Sequence, residues 1–234
     1  GSKSVLDCRC SAGNHYRLPL LSGHSTGSLY RAARRDTAVA LGSKAFFIGG
    51  ADGTNNWGTS TDIDIYDTSS GVWSHKTLSR RRTYTAAVTA GGKVLIGYGK
   101  TTNGNYPELL DIYDPVEGWS TVTIPFPRYG VGAASVGSKS FWAGGGTDTD
   151  KSRATQVDVY NTADGTWSQT HALSVGRMSP EGASVGSKIL FAGGSDCSAD
   201  FCITVGTVDI IDVVTDAKTT ATLSIGRGSM AVAT

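Results

Sequence analysis

Short apolar runs, separated by polar and glycine-containing turns, recur along most of this chain. Between residues 85 and 122, four such runs occupy residues 85–88, 94–97, 110–113 and 119–122. The third run alternates apolar and polar side chains, and no helical period of 3.6 residues competes with it. The pattern predicts four short β-strands, named a to d in chain order, with a long polar loop between b and c.

This four-strand unit is repeated along the sequence. A strand, a glycine turn, a lysine and a second strand ending in glycine form one phrase, which occurs at residues 39–50, 88–99, 134–145 and 183–194. Its lysines recur with a period in the forties: Lys44, Lys93, Lys139 and Lys188. Such a period is typical of the blades of a β-propeller or of another stacked array.

A fifth copy of the unit is divided between the two ends of the sequence. Residues 229–234 match the front half of the phrase, and residues 1–6 match its back half. Pairing these halves in one blade would close a ring and remove its open edges. We therefore expect one all-β domain over residues 1–234, with five blades at 32–78, 79–124, 125–173, 174–223, and 224–234 plus 1–31.

The repeat resembles that of the kelch β-propeller family, whose marks are a glycine pair after strand b, a tyrosine in c and a tryptophan in d. Two units carry the full set: Gly49-Gly50, Tyr66 and Trp73; and Gly144-Gly145, Tyr160 and Trp167. The second unit has Gly97-Tyr98-Gly99 with Tyr113 and Trp119, and the fourth keeps only Gly193-Gly194. The resemblance implies four-stranded blades with aromatic side chains packed between them, and it is almost silent on function.

Composition excludes some partners. The formal net charge is +1, so nothing favours binding to nucleic acid or to an anionic membrane. No apolar run is long enough to predict a membrane-spanning helix. We expect a monomer with no cofactor and no membrane insertion.

The four cysteines lie in two repeat units that would be neighbours in a closed ring. Cys8 and Cys10 fall in the predicted strand b of the divided unit, and Cys197 and Cys202 in the b–c loop of the fourth. Disulfides among them would cross-link the two units where the chain ends meet. They would also indicate an oxidising, extracellular compartment. Free thiols and a metal site remain alternatives, although the spacing is not that of zinc clips.

The b–c loops are long and varied, whereas the a–b and c–d turns are short. In a propeller the b–c loops and the d–a connections share one face, which is the expected binding surface. We name it the loop face. Trp57 and Asn56 lie in a glycine- and asparagine-rich b–c loop, and Tyr106 lies in the next one. These three residues are candidate ligand contacts, since exposed aromatics often stack on ligands.

Each predicted d–a connection carries an arginine: Arg35, Arg82, Arg128, Arg177 and Arg227. A ring of guanidinium groups at the axis would suit a carboxylate or an acidic peptide. Alternatively, the arginines brace adjacent loops as part of the repeat. Tyr84 and Tyr129 flank two of them and would either stack on a planar or sugar ligand or pack between loops.

Signals for catalysis are weak. The four histidines are not spaced to share a site, and no serine has the context of an activated nucleophile. Loop aspartates such as Asp148 and Asp196 could ligate calcium, but they are expected to be solvated. The sequence therefore favours a non-catalytic module that binds a protein, peptide or glycan. The alternatives are an enzyme of the sugar isomerase or hydrolase type with an axial pocket, and a purely architectural domain.

Overall fold

The computed structural model describes the backbone of residues 8–9 and 15–16 and all atoms of residues 37–50, 59–148, 155–196 and 202–228. These residues form β-strands, turns and loops, and among them no helix could span a membrane. The fold is all-β, as the apolar pattern predicts.

Four antiparallel four-stranded sheets are complete. Blade 1 contains β3 (Thr37–Leu41), β4 (Lys44–Ile48), β5 (Ser60–Asp67) and β6 (Val72–Arg82). Blade 2 contains β7 (Ala86–Ala90), β8 (Lys93–Gly97), β9 (Leu109–Asp114) and β10 (Gly118–Thr123). Blade 3 contains β11 (Gly132–Val136), β12 (Lys139–Ala143), β13 (Val157–Asn161) and β14 (Thr166–Gln169). Blade 4 contains β15 (Glu181–Val185), β16 (Lys188–Ala192), β19 (Thr207–Asp212) and β20 (Ala217–Thr222).

Two short ladders accompany these blades. β17 (Ser195–Asp196) pairs with β18 (Ile203–Thr204) inside the b–c loop of blade 4. β1 (Cys8–Arg9) pairs with β2 (His15–Tyr16), and both strands fall in the unit that is expected to form the fifth blade. Apart from residues 224–228, the rest of the expected fifth blade lies outside the described residues, and the five-blade count and the closure of the ring stay predictions.

The four a strands lie side by side around a central channel of about 350 Å³. Alanine, glycine, serine and threonine dominate its lining, because adjacent inner strands come too close for larger side chains. A Cβ atom added to Gly182 in β15 would lie 2.0 Å from the carbonyl oxygen of Ala133 in β11. This arrangement of blades is that of a β-propeller.

The apolar core is divided into layers between consecutive blades. One layer joins Phe46 and Ile63 of blade 1 to Val94 and Ile96 of blade 2. Equivalent layers join blade 2 to blade 3 and blade 3 to blade 4. Because each blade buries one sheet face against each neighbour, the stability of the fold depends on contacts between blades.

The aromatic positions of the repeat pack as expected. Three c-strand tyrosines pair with the d-strand tryptophans opposite them at ring distances of 4.9–5.2 Å: Tyr66–Trp73, Tyr113–Trp119 and Tyr160–Trp167. The ring centroids of Tyr160 and Trp167 are 5.0 Å apart. Trp142, in a b strand, is fully buried. These tryptophans are structural rather than exposed binding groups.

The glycine pair after strand b has a repeated backbone conformation with two consecutive positive φ angles. Gly144 and Gly145 have φ of 72° and 87°. In blade 2 the first position is Tyr98, with φ of 59°, a conformation that costs a non-glycine residue about 1–2 kcal/mol. Tyr98 is fully buried, packs against Trp142 with the rings tilted by 34°, and donates a 3.0 Å hydrogen bond to Asp158, and these contacts offset the strain.

Candidate functional site

Three of the five arginines of the d–a connections, Arg82, Arg128 and Arg177, are buried and do not form an open ring, and Arg35 lies outside the described residues. Arg82 ends β6, where it pairs with Ser60, and Arg82, Arg128 and Arg177 are at most 5% exposed. Each pairs with the aspartate of strand c in the following blade, at 2.7, 2.6 and 2.8 Å: Arg82–Asp111, Arg128–Asp158 and Arg177–Asp209. Their burial favours the bracing alternative, and a ligand role for these three finds no support in the geometry.

The bracing joins adjacent blades through both the side chain and the main chain. The carbonyl of Arg128 accepts a 2.9 Å hydrogen bond from Gly99 of blade 2, whereas its guanidinium donates to Gly144 and Asp158 of blade 3. Arg177 joins blades 3 and 4 in a similar way, since its carbonyl accepts from Gly145 and its guanidinium donates to the Phe191 carbonyl and to Asp209. The recurring arginine is therefore explained by the assembly of the propeller.

The buried carboxylates differ in their surroundings. Burial raises the pKa of Asp111, and this effect outweighs the opposing influence of Arg82. Burial also acts on Asp209, but hydrogen bonds from the Ser174 backbone, Lys218 and Arg177 hold the pKa of Asp209 below its ordinary value. The additional lysine, 3.0 Å from Asp209, makes the blade 4 pair the better compensated of the two.

Arg227 lies at the equivalent place after blade 4 and is exposed. Its carbonyl accepts a 2.9 Å hydrogen bond from Gly194, so the main-chain half of the bracing is kept. The sequence supplies no acidic residue between positions 8 and 35, where the fifth unit would carry the partner aspartate. Arg227 therefore remains a candidate ligand contact.

The three candidate tyrosines come together on the loop face. Tyr106 and Tyr129 stack nearly parallel, with ring centroids 6.0 Å apart and an interplanar angle of 4°. Tyr84 packs on Tyr129 at 5.6 Å and 53°. They come from the b–c loop of blade 2 and from the connections on either side of it. We call this cluster the tyrosine platform.

An ion pair holds the platform in place. Lys100 lies 2.5 Å from Asp148 and 5.3 Å from the centre of the Tyr129 ring. The backbone nitrogen of Asp148 donates a hydrogen bond to the Tyr106 hydroxyl, which ties the loops of blades 2 and 3 together. The hydrogen bond to Asp148 raises the pKa of Lys100, and burial raises that of Tyr129. The lysine therefore stays charged and the phenol neutral at neutral pH.

Tyr84 is the most exposed member of the platform. Its side chain is 57% accessible and its φ is 55°. The equivalent positions in the next two connections hold Gly130 and Ser179, also at positive φ. A positive φ is energetically unfavourable for a large aromatic residue. Backbone strain of this kind is concentrated at functional sites. Exposure together with strain marks Tyr84 as a candidate ligand contact.

A cleft of about 370 Å³ adjoins the platform on the outer side of blade 2. Tyr106 belongs to both, since it stacks on Tyr129 and also lines the cleft. The other polar side chains of the cleft come from β6, the b–c loop and β10: Arg80, Thr101, Asn105, Glu108 and Thr123. The platform and the cleft together form the candidate site.

Sequence reasoning identified the three tyrosines but not the residues that position them. Lys100 and Asp148 stand in different units, and only the folded loops bring them together. The bracing role of the arginines could have been predicted from the sequence, because every complete unit that has an arginine before strand a also has an aspartate in strand c. Trp57 and Asn56 lie outside the described residues, and their assignment stays a prediction.

Cys202 is disulfide-bonded. The side chains of Cys8, Cys10 and Cys197 lie outside the described residues, so the expected pairing of the four cysteines and the extracellular compartment stay predictions. In the described part of the chain, no three histidine, cysteine, aspartate or glutamate side chains are grouped as ligands for a metal ion.

No protein-family model matches this chain, and no curated protein matches it in sequence. Among solved structures it is similar to the one titled "Structure of YjhT", with a TM-score of 0.68. The similarity covers 92% of this chain and 76% of that one, at 13% sequence identity. At this identity the likeness concerns the fold alone, and it supports a β-propeller built from four-stranded antiparallel blades.

Proposed function

We propose that this protein is a kelch-type propeller that acts as a non-catalytic binding module and holds its ligand on the loop face. The tyrosine platform carries the proposal. Tyr84, Tyr106 and Tyr129 present a continuous aromatic surface beside a cleft with polar side chains. Rigid aromatic groups supply contact area at low entropic cost, and tyrosine is enriched among the residues that dominate binding energy.

The platform is arranged in advance of binding. The Lys100–Asp148 ion pair and the hydrogen bond to the Tyr106 hydroxyl fix the loops that carry the rings. A ligand then loses little free energy to ordering the protein, which favours affinity. The buried arginines stabilise the scaffold beneath the platform and do not contact the ligand.

Screening on peptide and glycan arrays tests this proposal. We expect the wild-type domain to capture a ligand that Tyr84→Ala and Tyr129→Ala bind about tenfold more weakly, since a truncated anchor costs about 1–3 kcal/mol. Val116→Ala is the matched control, because Val116 is 87% exposed in a c–d turn on the opposite face.

Circular dichroism establishes that each variant is folded before affinities are compared. Equal binding by wild type, Tyr84→Ala and Tyr129→Ala would contradict the proposal. Selective loss of binding in Val116→Ala would place the site on the opposite face.

A further inference from the structure

We infer that the ligand includes an uncharged sugar unit, bound in the cleft beside Tyr106 and away from the propeller axis; this inference rests on the proposed binding function. The cleft lies between the end of β6 in blade 1 and the b–c loop of blade 2. Its volume of about 370 Å³ falls at the lower end of the range for small-molecule pockets, about 300–1,000 Å³.

The charges that line the cleft cancel. Arg80 contributes one cation and Glu108 one anion, and neither forms an ion pair with another described residue. A strongly anionic or cationic ligand would meet one attractive and one repulsive group. A neutral ligand avoids this conflict and still finds two charged hydrogen-bonding partners.

The polar groups match the hydroxyls of a sugar. Arg80 only donates hydrogen bonds, the Glu108 carboxylate only accepts them, and the Asn105 amide does both. A sugar hydroxyl is donor and acceptor at once, so each of these groups has a complementary partner on one pyranose ring. Tyr106 adds a flat apolar wall against which the C–H face of the ring can stack.

The loop that carries these groups is preorganised. The backbone nitrogen of Thr101 donates to the carbonyl of Asn105 at 2.8 Å, and the nitrogen of Asn105 donates to the Thr101 hydroxyl at 3.0 Å. Gly104, with φ of 79°, donates to the Thr101 carbonyl at 3.1 Å. These bonds use main-chain groups of Asn105, and no described residue hydrogen-bonds its side-chain amide, which is left available to the cleft.

Arrays of peptides and of neutral and acidic oligosaccharides, probed with wild type and five variants, test the inference. One of the five, Tyr84→Ala, reports on the tyrosine platform. We expect neutral glycans to be captured by wild type, and Arg80→Ala and Tyr106→Ala to bind them about tenfold or more weakly. Arg81→Ala is the matched control for Arg80, because Arg81 is an exposed arginine next to Arg80 that does not line the cleft. Tyr106→Phe keeps the stacking wall and should retain most of the affinity.

The outcomes separate this inference from the function on which it rests. Capture of peptides alone, weakened by Tyr84→Ala but not by Arg80→Ala, would overturn the sugar inference and leave the binding function standing. Glycan capture that Arg80→Ala and Arg81→Ala weaken equally would overturn the assignment to the cleft. Loss of neutral-glycan binding in Arg80→Ala and Tyr106→Ala, with Arg81→Ala unaffected, would support it.

Discussion

At the residue scale, the repeated charged residues of this protein serve two separate purposes. Buried arginine–aspartate pairs join neighbouring blades near the loop face. At the other end of the blades, partly or fully exposed lysines at the start of strand b pair with half-buried aspartates at the end of strand c: Lys44–Asp67, Lys93–Asp114 and Lys188–Asp212. The two sets of ion pairs differ in burial. A pair in contact with water is screened and contributes little to the stability of the fold.

The buried pairs should control stability rather than affinity. Arg82→Ala leaves the Asp111 carboxylate buried without its partner, and we expect a loss of about 3–5 kcal/mol. Arg177→Ala should cost less, because Lys218 remains 3.0 Å from Asp209. Urea unfolding of both variants measures the difference.

Arg81→Ala is the control for these measurements. Because Arg81 is exposed, this change should alter stability by less than about 0.5 kcal/mol. An Arg82→Ala/Asp111→Ala double variant should lose less stability than the two single changes combined, since it leaves no unpaired charge. Unchanged unfolding midpoints in Arg82→Ala, with weaker ligand binding, would instead restore the arginine-ring hypothesis.

The aspartates of these lysine pairs should contribute to acid sensitivity. The hydrogen bond from Lys44 and those from Ser69 and Ser43 hold the pKa of Asp67 below its ordinary value, and Lys188 acts similarly on Asp212. A carboxyl whose pKa is lowered on folding stabilises the protein above about pH 4 and loses that contribution as the pH falls further.

We therefore expect the melting temperature of wild type to fall below about pH 4, and to fall less steeply in Asp67→Asn. The third blade already has Asn161 at this position, opposite Lys139, so the amide fits the turn. Melting curves between about pH 2 and pH 7 provide the measurement. Parallel curves for wild type and Asp67→Asn would show that this pair has no role in acid unfolding.

At the element scale, the inner strands determine how closely the blades approach. Gly182 lies where a Cβ would overlap the Ala133 carbonyl of the neighbouring inner strand. The contact involves backbone rather than a flexible side chain, so the strands themselves would have to separate. Glycine is required here by the spacing of the blades and not by a special backbone angle.

Gly182→Ala should therefore destabilise the protein by at least about 1–3 kcal/mol, as overpacking does in a dense core. Gly206→Ala is the control, because a Cβ there would meet only ordinary contacts at 3.6 Å, and it should change stability by less than about 0.5 kcal/mol. Thermal unfolding of the two variants compares them. Equal midpoints would mean that the inner strands adjust easily.

At the scale of the whole molecule, stability depends on contacts between blades. Each described core layer combines residues from two blades, so a blade that loses a neighbour exposes one apolar face. The predicted division of the fifth unit between the chain ends would supply that last neighbour. Closure is therefore the prediction with the largest consequence for the fold.

Deletion of residues 228–234 tests closure. If these residues complete the fifth blade, we expect the melting temperature of the entire domain to fall, because an open ring leaves strand edges unpaired. Differential scanning calorimetry with size-exclusion chromatography measures both unfolding and self-association. A monomeric product with an unchanged midpoint would contradict the closed ring.

The amino-acid sequence was sufficient to predict the strands of the four complete blades, their order and the packing roles of the aromatic residues. Strands predicted at residues 94–97 and 110–113 are observed at Lys93–Gly97 and Leu109–Asp114. This succeeds because alternation, turns and the repeated phrase are local signals, and repetition over several units reinforces each of them.

The candidate site required the folded molecule. Tyr84, Tyr106 and Tyr129 were recognised as candidates from their loops, but their stacking depends on how two neighbouring blades place those loops. Contacts between segments far apart in the chain decide whether an arginine is buried or exposed. They also bring Arg80 and Glu108 into one cleft. Periodicity identifies which residues share a strand face, whereas burial and charge pairing arise only when the blades pack against one another.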